Sequence, residues 1–160
     1  MKNTKINSLN QIKKQVITLK KKGKVIVTTN GVYDIVHPGH VRSLNEAKNQ
    51  GDVLIVGINS DKSVKKNKSS LRPINDQDFR TEVVAALEFV DLVFIFNETT
   101  PNIFLEQLKP DIHANGAKYG KDCIEKEVVE KNGGKIYLLQ NFNSFSTTKI
   151  IQKIIKLYGK

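Results

Sequence analysis

The sequence predicts an α/β fold, a three-layer sandwich in which helices flank a central parallel β-sheet. Two features of its 160 residues predict this class. Segments with the apolar character of strands alternate along the chain with segments of helical periodicity. Residues 53–59 are apolar almost throughout, which is typical of a parallel strand buried on both faces. No linker or internal repeat is visible, so residues 1–160 are predicted to form one domain.

The first half of the chain is predicted to hold two helices and two strands. The first helix covers residues 8–22, where Ser8 and Gln11 form a capping box and Gly23 follows the last turn. A polar, lysine-rich stretch without periodicity is predicted to be a loop. The other predicted elements of this half are a strand at 25–29, a helix at 40–50, the strand at 53–59 and the loop at 60–74.

The second half continues the alternation of helices and strands. Asn75 is predicted to cap a helix, and Thr100 with Pro101 is predicted to open another. Ser146 is predicted to cap the last helix, which carries a run of apolar side chains. Short strands are predicted at 92–96, 111–114 and 135–139. In a parallel sheet, ligands bind at the carboxyl ends of such strands.

Composition limits the classes of function. The net charge of +10 fits a nucleic-acid-binding domain, but an aromatic content of 7% offers few stacking platforms, so we predict no nucleic-acid partner. No apolar run reaches the length of a membrane span, and the N-terminus lacks the apolar stretch of a signal peptide. Cys123 is the single cysteine, which excludes an internal disulfide. We therefore expect a cytoplasmic protein without a membrane partner.

The most informative stretch follows the first predicted strand. Two histidines, His37 and His40, stand three residues apart around Pro38 and Gly39, where a glycine turn leads into a helix. The N–H groups at a helix N-terminus favour an anion, which suits chemistry on phosphates. Two histidines alone are too few ligands for a metal ion, so no metal site is predicted on the protein. The turn before them reads Thr29-Asn30-Gly31-Val32-Tyr33-Asp34.

Other candidates for phosphate contact follow later strands. Lys62 and Lys65 come after the second strand. The planar guanidinium groups of Arg72 and Arg80 have the fork geometry that matches phosphate oxygens. Ser146, Thr147 and Thr148 place three hydroxyls at the start of the last helix, which suits the outer phosphates of a triphosphate.

These motifs resemble the signature of the cytidylyltransferase-like nucleotidyltransferases. The resemblance covers about residues 24–156 and leaves residues 1–23 as an N-terminal helical extension. It implies a Rossmann-like fold and the transfer of a nucleoside monophosphate from a triphosphate, with release of pyrophosphate. Three further blocks are most similar to the adenylyltransferases that form ADP-heptose from heptose 1-phosphate: Asn59-Ser60-Asp61-Lys62-Ser63-Val64-Lys65, Arg72-Pro73-Ile74 with Arg80, and Phe145-Ser146-Thr147-Thr148-Lys149-Ile150.

The resemblance also implies roles for individual residues. Catalytic roles would fall to His37, His40, Lys65 and Arg80. Substrate contacts would fall to Asp34, Asp61, Lys62 and Lys65. Nucleotide contacts would fall to Thr29, Asn30, Gly31, Val32, Tyr33, His37, His40, Arg72, Asn115, Gly116, Ser146, Thr147 and Thr148. Mg²⁺ would arrive on the nucleotide, and relatives suggest a homodimer.

The resemblance leaves two substrate pairs open. The first is ATP with a sugar 1-phosphate, favoured by the blocks around Asn59 and Arg72. The second is CTP with a polyol phosphate such as glycerol 3-phosphate. Where the heptose pattern has a lysine, two glycines and an acid, this chain has Asn115, Gly116, Ala117 and Lys118.

Overall fold

A computed structural model describes residues 4–117, 120, 122–140 and 145–159, and its core is a five-stranded parallel sheet. The strand order is β3-β2-β1-β4-β5, so the chain reverses its direction of travel across the sheet after β3. Reversal creates a crevice at the carboxyl ends of the central strands. The strands are β1 (Ile26–Gly31), β2 (Val53–Asn59), β3 (Leu92–Phe96), β4 (Ile112–Gly116) and β5 (Lys135–Leu139).

Helices cover both faces of the sheet, which confirms the predicted three-layer α/β class. Helices α2 and α4 pack on one face, and α1, α5 and α6 pack on the other. The helices are α1 (Leu9–Lys21), α2 (Pro38–Lys48), α3 (Asp61–Asn67), α4 (Gln77–Ala85), α5 (Asn102–Leu108), α6 (Lys126–Lys131) and α7 (Thr147–Tyr158). None of the helices within the described ranges is long and apolar enough to cross a bilayer.

Side chains that point alternately to the two faces of the sheet contribute to both layers of the core. In β2, Leu54 and Val56 point to the α2–α4 side, whereas Ile55 points to the α1–α5–α6 side. All three side chains are completely buried. The continuous apolar run is thus explained by a strand that must satisfy two hydrophobic layers at once.

The N-terminal segment is part of this core. Ser8 and Gln11 form the predicted capping box of α1, and Ile12 and Val16 of that helix are buried. Just before the helix, the Asn7 amide donates to the Val93 carbonyl at 3.0 Å. The segment predicted as an extension therefore packs against β3 and α5 and contributes to the folded domain.

Two local predictions were wrong, and one helix was missed. Residues 60–74 are not all loop, because Ser60 caps the short helix α3 and buries Val64. Asp76, not Asn75, caps α4 by accepting from the Phe79 amide at 2.8 Å. Helix α6 was not predicted. Helices α3 and α6 have seven residues or fewer, which is too short for helical periodicity to stand out.

Candidate active site

A cleft of about 660 Å³ opens at the carboxyl edge of the sheet, as predicted for this fold. The ends of β1, β2, β4 and β5 form its floor. The N-terminal turns of α2 and α7 form part of its wall. The motif around the two histidines and the hydroxyls before and within α7 therefore meet in one cavity, although more than 100 residues separate them.

The turn after β1 lines the cleft along its whole length. Tyr33 is held at a positive φ of 52°, and its ring packs so closely under Gly31 that a Cβ there would lie 2.9 Å from it. Only glycine fits that position without displacing the ring. Burial raises the pKa of Tyr33, so its hydroxyl stays protonated and can donate a hydrogen bond. The predicted nucleotide-binding residues of this turn, Thr29, Asn30, Gly31, Val32 and Tyr33, all line the cleft.

His37 and His40 stack at the start of α2. Their ring centroids are 3.8 Å apart and their planes meet at 18°. Tyr33 supports His40 with a centroid distance of 5.1 Å. Gly39 makes this crowding possible, because a Cβ there would lie 3.1 Å from the His37 ring and 3.2 Å from the Cβ of Phe145.

Both imidazoles are poised as neutral hydrogen-bond donors. Burial, and to a lesser extent the electrostatic influence of His37, lowers the pKa of His40 to about 4. Burial also lowers the pKa of His37. The Nδ1 atoms of both rings are buried without a hydrogen-bond partner among the described residues. Each neutral imidazole keeps one ring N–H, and where that N–H faces the cleft it can donate to phosphate oxygens as negative charge builds on them.

Asp34 lines the cleft, but its carboxylate already has several partners. Oδ2 accepts from Arg72 Nε at 2.6 Å, and Oδ1 accepts from the amides of Ile74 at 2.8 Å and Asn75 at 2.9 Å. These contacts pin the segment before α4 to the turn after β1. They also orient Arg72, which lines the cleft as predicted.

Arg80 lies beneath the cleft, not in its wall. Its side chain is completely buried, with Nε donating to Asn75 O at 3.0 Å and Nη2 donating to Asn59 O at 2.7 Å. Nη1 donates to Val32 O, and Nη2 also pairs with Asp61 at 2.8 Å. The predicted phosphate contact by Arg80 is replaced by contacts that tie the ends of β1 and β2 together. Asp61, predicted to bind substrate, is a partner of Arg80.

A lysine other than the two predicted ones lines the cleft. Lys62 and Lys65 are exposed on α3 and do not line the cleft. Lys68, the residue after the helix, does line it, together with Val64 and Asn67. The four-residue spacing of Val64 and Lys68 would have pointed to Lys68 if α3 had been recognised as a helix.

The end of β4 brings in an acid that sequence reasoning missed. The predicted residues Asn115 and Gly116 line the cleft. Beside them, Glu125 is only 6% exposed, and its Oε2 accepts from Asn115 Nδ2 at 3.1 Å. Lys118, at which this chain departs from the heptose pattern, lies outside the described residues.

The start of α7 completes the cleft. Ser146 caps the helix, as predicted, by accepting from the Lys149 amide at 3.1 Å. Ser146, Thr147 and Thr148 all line the cleft. A triphosphate could therefore meet the N-terminal turns of two helices, α2 and α7, at once.

The side chains that the structure describes do not form a metal cage. Within the described ranges, no three His, Cys, Asp or Glu side chains are grouped closely enough to hold an ion. Mg²⁺ prefers octahedral oxygen ligands and commonly takes them from phosphates and water.

The chain is similar in sequence to several known proteins. Residues 28–153 match the model of a family described as Cytidylyltransferase-like. The chain is 42% identical over 157 residues to the bifunctional protein HldE of Geobacter metallireducens. The aligned region covers 98% of this chain and 32% of that protein. It is 49% identical over 144 residues to HldE of Campylobacter jejuni subsp. doylei, which covers 89% of this chain and 30% of that protein. The chain thus spans about a third of the length of these relatives.

Solved structures share the fold. A lipopolysaccharide core biosynthesis protein from Thermoplasma volcanium superposes with a TM-score of 0.65 at 29% identity, covering 76% of this chain and all of that one. Pantoate-β-alanine ligase from Francisella tularensis superposes with a TM-score of 0.59 at 17% identity, covering 94% and 77%. The second likeness concerns the fold alone.

Proposed function

The chain belongs to the cytidylyltransferase-like family of nucleotidyltransferases, and on that premise we propose that it transfers AMP from ATP to a sugar 1-phosphate. The observation that carries the proposal is the pair of neutral, stacked histidines at the N-terminus of α2, in a cleft that also holds Arg72 and Lys68. This arrangement supplies hydrogen-bond donors for a triphosphate and for its transition state.

The proposed step is a direct displacement. An oxygen of the sugar phosphate attacks the α-phosphorus, the bond from that phosphorus to the bridging oxygen breaks, and pyrophosphate leaves. The acceptor is already an anion, so the step needs positioning and charge stabilisation more than a base. His37 and His40 donate to the oxygens that gain charge, while Arg72 and Lys68 bind phosphate. Asp34 and Arg80 act as positioning residues, because they hold the loops that carry these groups.

Three observations favour ATP and heptose 1-phosphate as the substrates. The sequence blocks around Asn59 and Arg72 resemble heptose 1-phosphate adenylyltransferases, and close relatives bear the name HldE. The solved structure at 29% identity is described as a lipopolysaccharide core biosynthesis protein. The second candidate is CTP with glycerol 3-phosphate, which the family description favours.

A substrate grid tests the proposal. Pyrophosphate release would be measured with ATP, CTP, GTP and UTP against heptose 1-phosphate, other sugar 1-phosphates and glycerol 3-phosphate. We expect release with ATP and heptose 1-phosphate. Release only with CTP and glycerol 3-phosphate would establish the second candidate, and no release from any pair would contradict the proposed activity.

We also propose that Mg²⁺ enters with the nucleotide. When bound, the ion would neutralise charge on the phosphates. Activity should vanish in excess EDTA and return when Mg²⁺ exceeds the chelator. Full activity in EDTA would contradict this proposal. A homodimer, expected from the resemblance, stays a prediction that sedimentation equilibrium can test.

A further inference from the structure

Phe145 is a half-buried residue of the cleft wall, and no step of the proposed reaction uses it. The centroid of its ring lies 6.4 Å from that of His37, and the two planes meet at 23°. Its Cβ atom packs against Gly39, since a Cβ added to that glycine would lie only 3.2 Å away. Phe145 therefore continues the row of rings formed by Tyr33, His40 and His37.

The imidazole of His37 depends on packing for its orientation. A hydrogen bond to one ring nitrogen usually sets the orientation and tautomer of a functional histidine. Nδ1 of His37, however, is buried without a hydrogen-bond partner among the residues that the structure describes. The ring instead packs against His40 at 3.8 Å, Gly39 and Phe145. Of these three neighbours, Phe145 is the one that comes from outside α2.

Helix α7 is only lightly packed onto the domain. None of its residues is buried. The apolar side chains of its C-terminal part are between 50% and 80% exposed, namely Ile154, Ile155, Leu157 and Tyr158. At its first turn, Thr147 Oγ1 donates to the Ile35 carbonyl at 3.4 Å. Because Phe145 directly precedes the cap of α7, its contacts with Gly39 and His37 help to place the hydroxyls of that turn beside the histidines.

A cation of α2 also contacts the Phe145 ring. Arg42 Cζ lies 5.3 Å from the centroid of that ring. A guanidinium group at this distance is attracted by the face of an aromatic ring. Arg42 belongs to the helix that begins at the histidine motif. Two side chains from this part of the chain, Arg42 and His37, therefore hold Phe145 in place.

We propose that Phe145 is a positioning residue for the reaction, whose ring fixes the orientation of the His37 imidazole relative to the hydroxyls at the start of α7. This inference rests on the proposed function, which requires an N–H of His37 directed at phosphate oxygens. A donor stabilises the transition state most when its direction is set beforehand. Since small misplacements of such groups cost up to about 100-fold in rate, Phe145→Ala should lower kcat about 10- to 100-fold.

Three substitutions separate the role of the Phe145 ring from that of its bulk. Phe145→Ala removes both, Phe145→Leu keeps apolar bulk without a ring, and Phe145→Tyr keeps the ring. The full chain would be assayed with the substrate pair that the wild type turns over. We expect Phe145→Leu to lose nearly as much kcat as Phe145→Ala, and Phe145→Tyr to recover most of it.

The matched control is Tyr158→Ala. Tyr158 is an aromatic residue in the last turn of α7, 80% exposed and outside the cleft. This variant should keep the kcat of the wild type. Thermal unfolding of each variant checks that it folds, and Phe145→Leu provides the same comparison if Phe145→Ala does not.

NMR of the histidine side chains tests the contact without requiring turnover. Burial lowers the pKa of His37. Removing the Phe145 ring exposes more of the imidazole, so the pKa of His37 should rise toward its ordinary value in Phe145→Ala and Phe145→Leu but not in Phe145→Tyr. His40 and Arg42 stay in every variant, so their charges do not cause the difference. Long-range proton–nitrogen spectra report the pKa and the tautomer, with the fully buried His113 as an internal reference.

The two measurements separate the failure of this inference from that of the function. An unchanged kcat in a folded Phe145→Ala variant overturns the inference. A lower kcat with an unchanged pKa and tautomer of His37 also overturns it, because the loss would then come from displacement of α7 alone. If the wild type turns over no substrate pair, but the pKa of His37 rises in Phe145→Ala and not in Phe145→Tyr, the contact is supported and the proposed function is contradicted.

Discussion

His37 and His40 carry the proposed chemistry at the residue scale. Their stacking at 3.8 Å disfavours two positive charges, and burial already lowers both pKa values. The rings are therefore neutral donors near pH 7, and their value lies in being fixed before charge develops on the phosphates. Gly39 and Tyr33 maintain that arrangement from either side.

The variant His40→Ala should lower kcat by about 100-fold or more, because it removes a donor that acts on the transition state. KM for the nucleotide should change much less. Steady-state kinetics across both substrates measure the effect, and circular dichroism confirms the fold. His40→Gln retains an N–H donor and should recover part of the loss. An unchanged kcat in His40→Ala would contradict the assigned role.

Asp34 tests the positioning network. Its carboxylate is 2% exposed and accepts from Arg72 and from two backbone amides. Asp34→Ala should lower the free energy of unfolding by about 3–5 kcal/mol, because it leaves buried donors unpaired. Urea unfolding measures the change.

The control for Asp34 is a surface ion pair of the same chemistry. Asp122 pairs with Lys126 at 3.0 Å, but its side chain is 92% exposed. Asp122→Ala should change the free energy of unfolding by less than about 1 kcal/mol. Equal effects of the two substitutions would mean that the Asp34 network does not hold the cleft together.

At the residue scale, the sequence was most informative where function depends on neighbours along the chain. The turn from Thr29 to His40 could be predicted because one strand end and one helix start bring its groups together. Glu125 could not, because its partner Asn115 is ten positions away and the intervening chain has no periodicity. Arg80 was recognised as important, but its burial depends on the packing of α4 against the sheet.

At the scale of elements, helix α3 decides which lysine reaches the cleft. It is capped by Ser60 and anchored by the buried Val64. Both Lys66 and Lys68 are exposed, but only Lys68, which follows one turn after Val64, lines the cleft. Helical phase, more than the number of lysines, therefore sets the positive charge near the phosphates.

Substituting one lysine at a time by alanine tests whether the phase of α3 decides which lysine contacts a substrate. Lys68→Ala should raise KM for the nucleotide or the acceptor about 10-fold, because it removes a cation from the cleft. Lys66→Ala, the matched control, should leave both KM values unchanged. Initial rates at varied concentrations of each substrate measure the difference. Equal KM values for the two variants would show that Lys68 does not contact a substrate phosphate.

The predicted elements succeeded where burial imposes a pattern. Strand β2 matched its prediction at both ends, because a strand covered on both faces must be apolar throughout. Asp76 was missed as the cap of α4 because Asn75 is an equally good cap by residue type. In the structure, the amide of Asn75 donates to the Asp34 carboxylate, and Asp76 caps the helix. This contact joins residues that are far apart in the chain, so the sequence around Asn75 does not reveal it.

At the scale of the whole molecule, buried imidazoles couple stability to pH. Burial lowers the pKa of His113 to about 4, and that of His40 is also about 4. In the unfolded chain both would titrate near 6.5. Between pH 6.5 and 4 the unfolded state therefore binds more protons, so the free energy of unfolding falls as the pH falls. Well above pH 6.5 both imidazoles are neutral in the folded and the unfolded state, so this loss of stability is absent.

Urea unfolding between pH 7 and 4.5 should reveal this loss. The buried His113 alone should contribute about 2–3 kcal/mol by the lower end of the range. The Val25 amide and Lys24 lower the pKa of Asp52. Its contribution to the free energy of unfolding is therefore lost only as the pH falls through the ordinary pKa of a carboxyl group and below it. The window above pH 4.5 therefore reports mainly on histidine. A free energy of unfolding that stays constant across it would contradict the burial of neutral imidazoles.

The fate of the α-phosphate tests the central claim most directly. The chain would be incubated with Mg²⁺, heptose 1-phosphate and ATP labelled at the α-phosphate, and the labelled products would be separated. Nucleotidyl transfer predicts that the label appears in a sugar nucleotide, with one unlabelled pyrophosphate released for each product formed. Transfer of the γ-phosphate to the acceptor, or release of orthophosphate while the label stays in ADP, would contradict it.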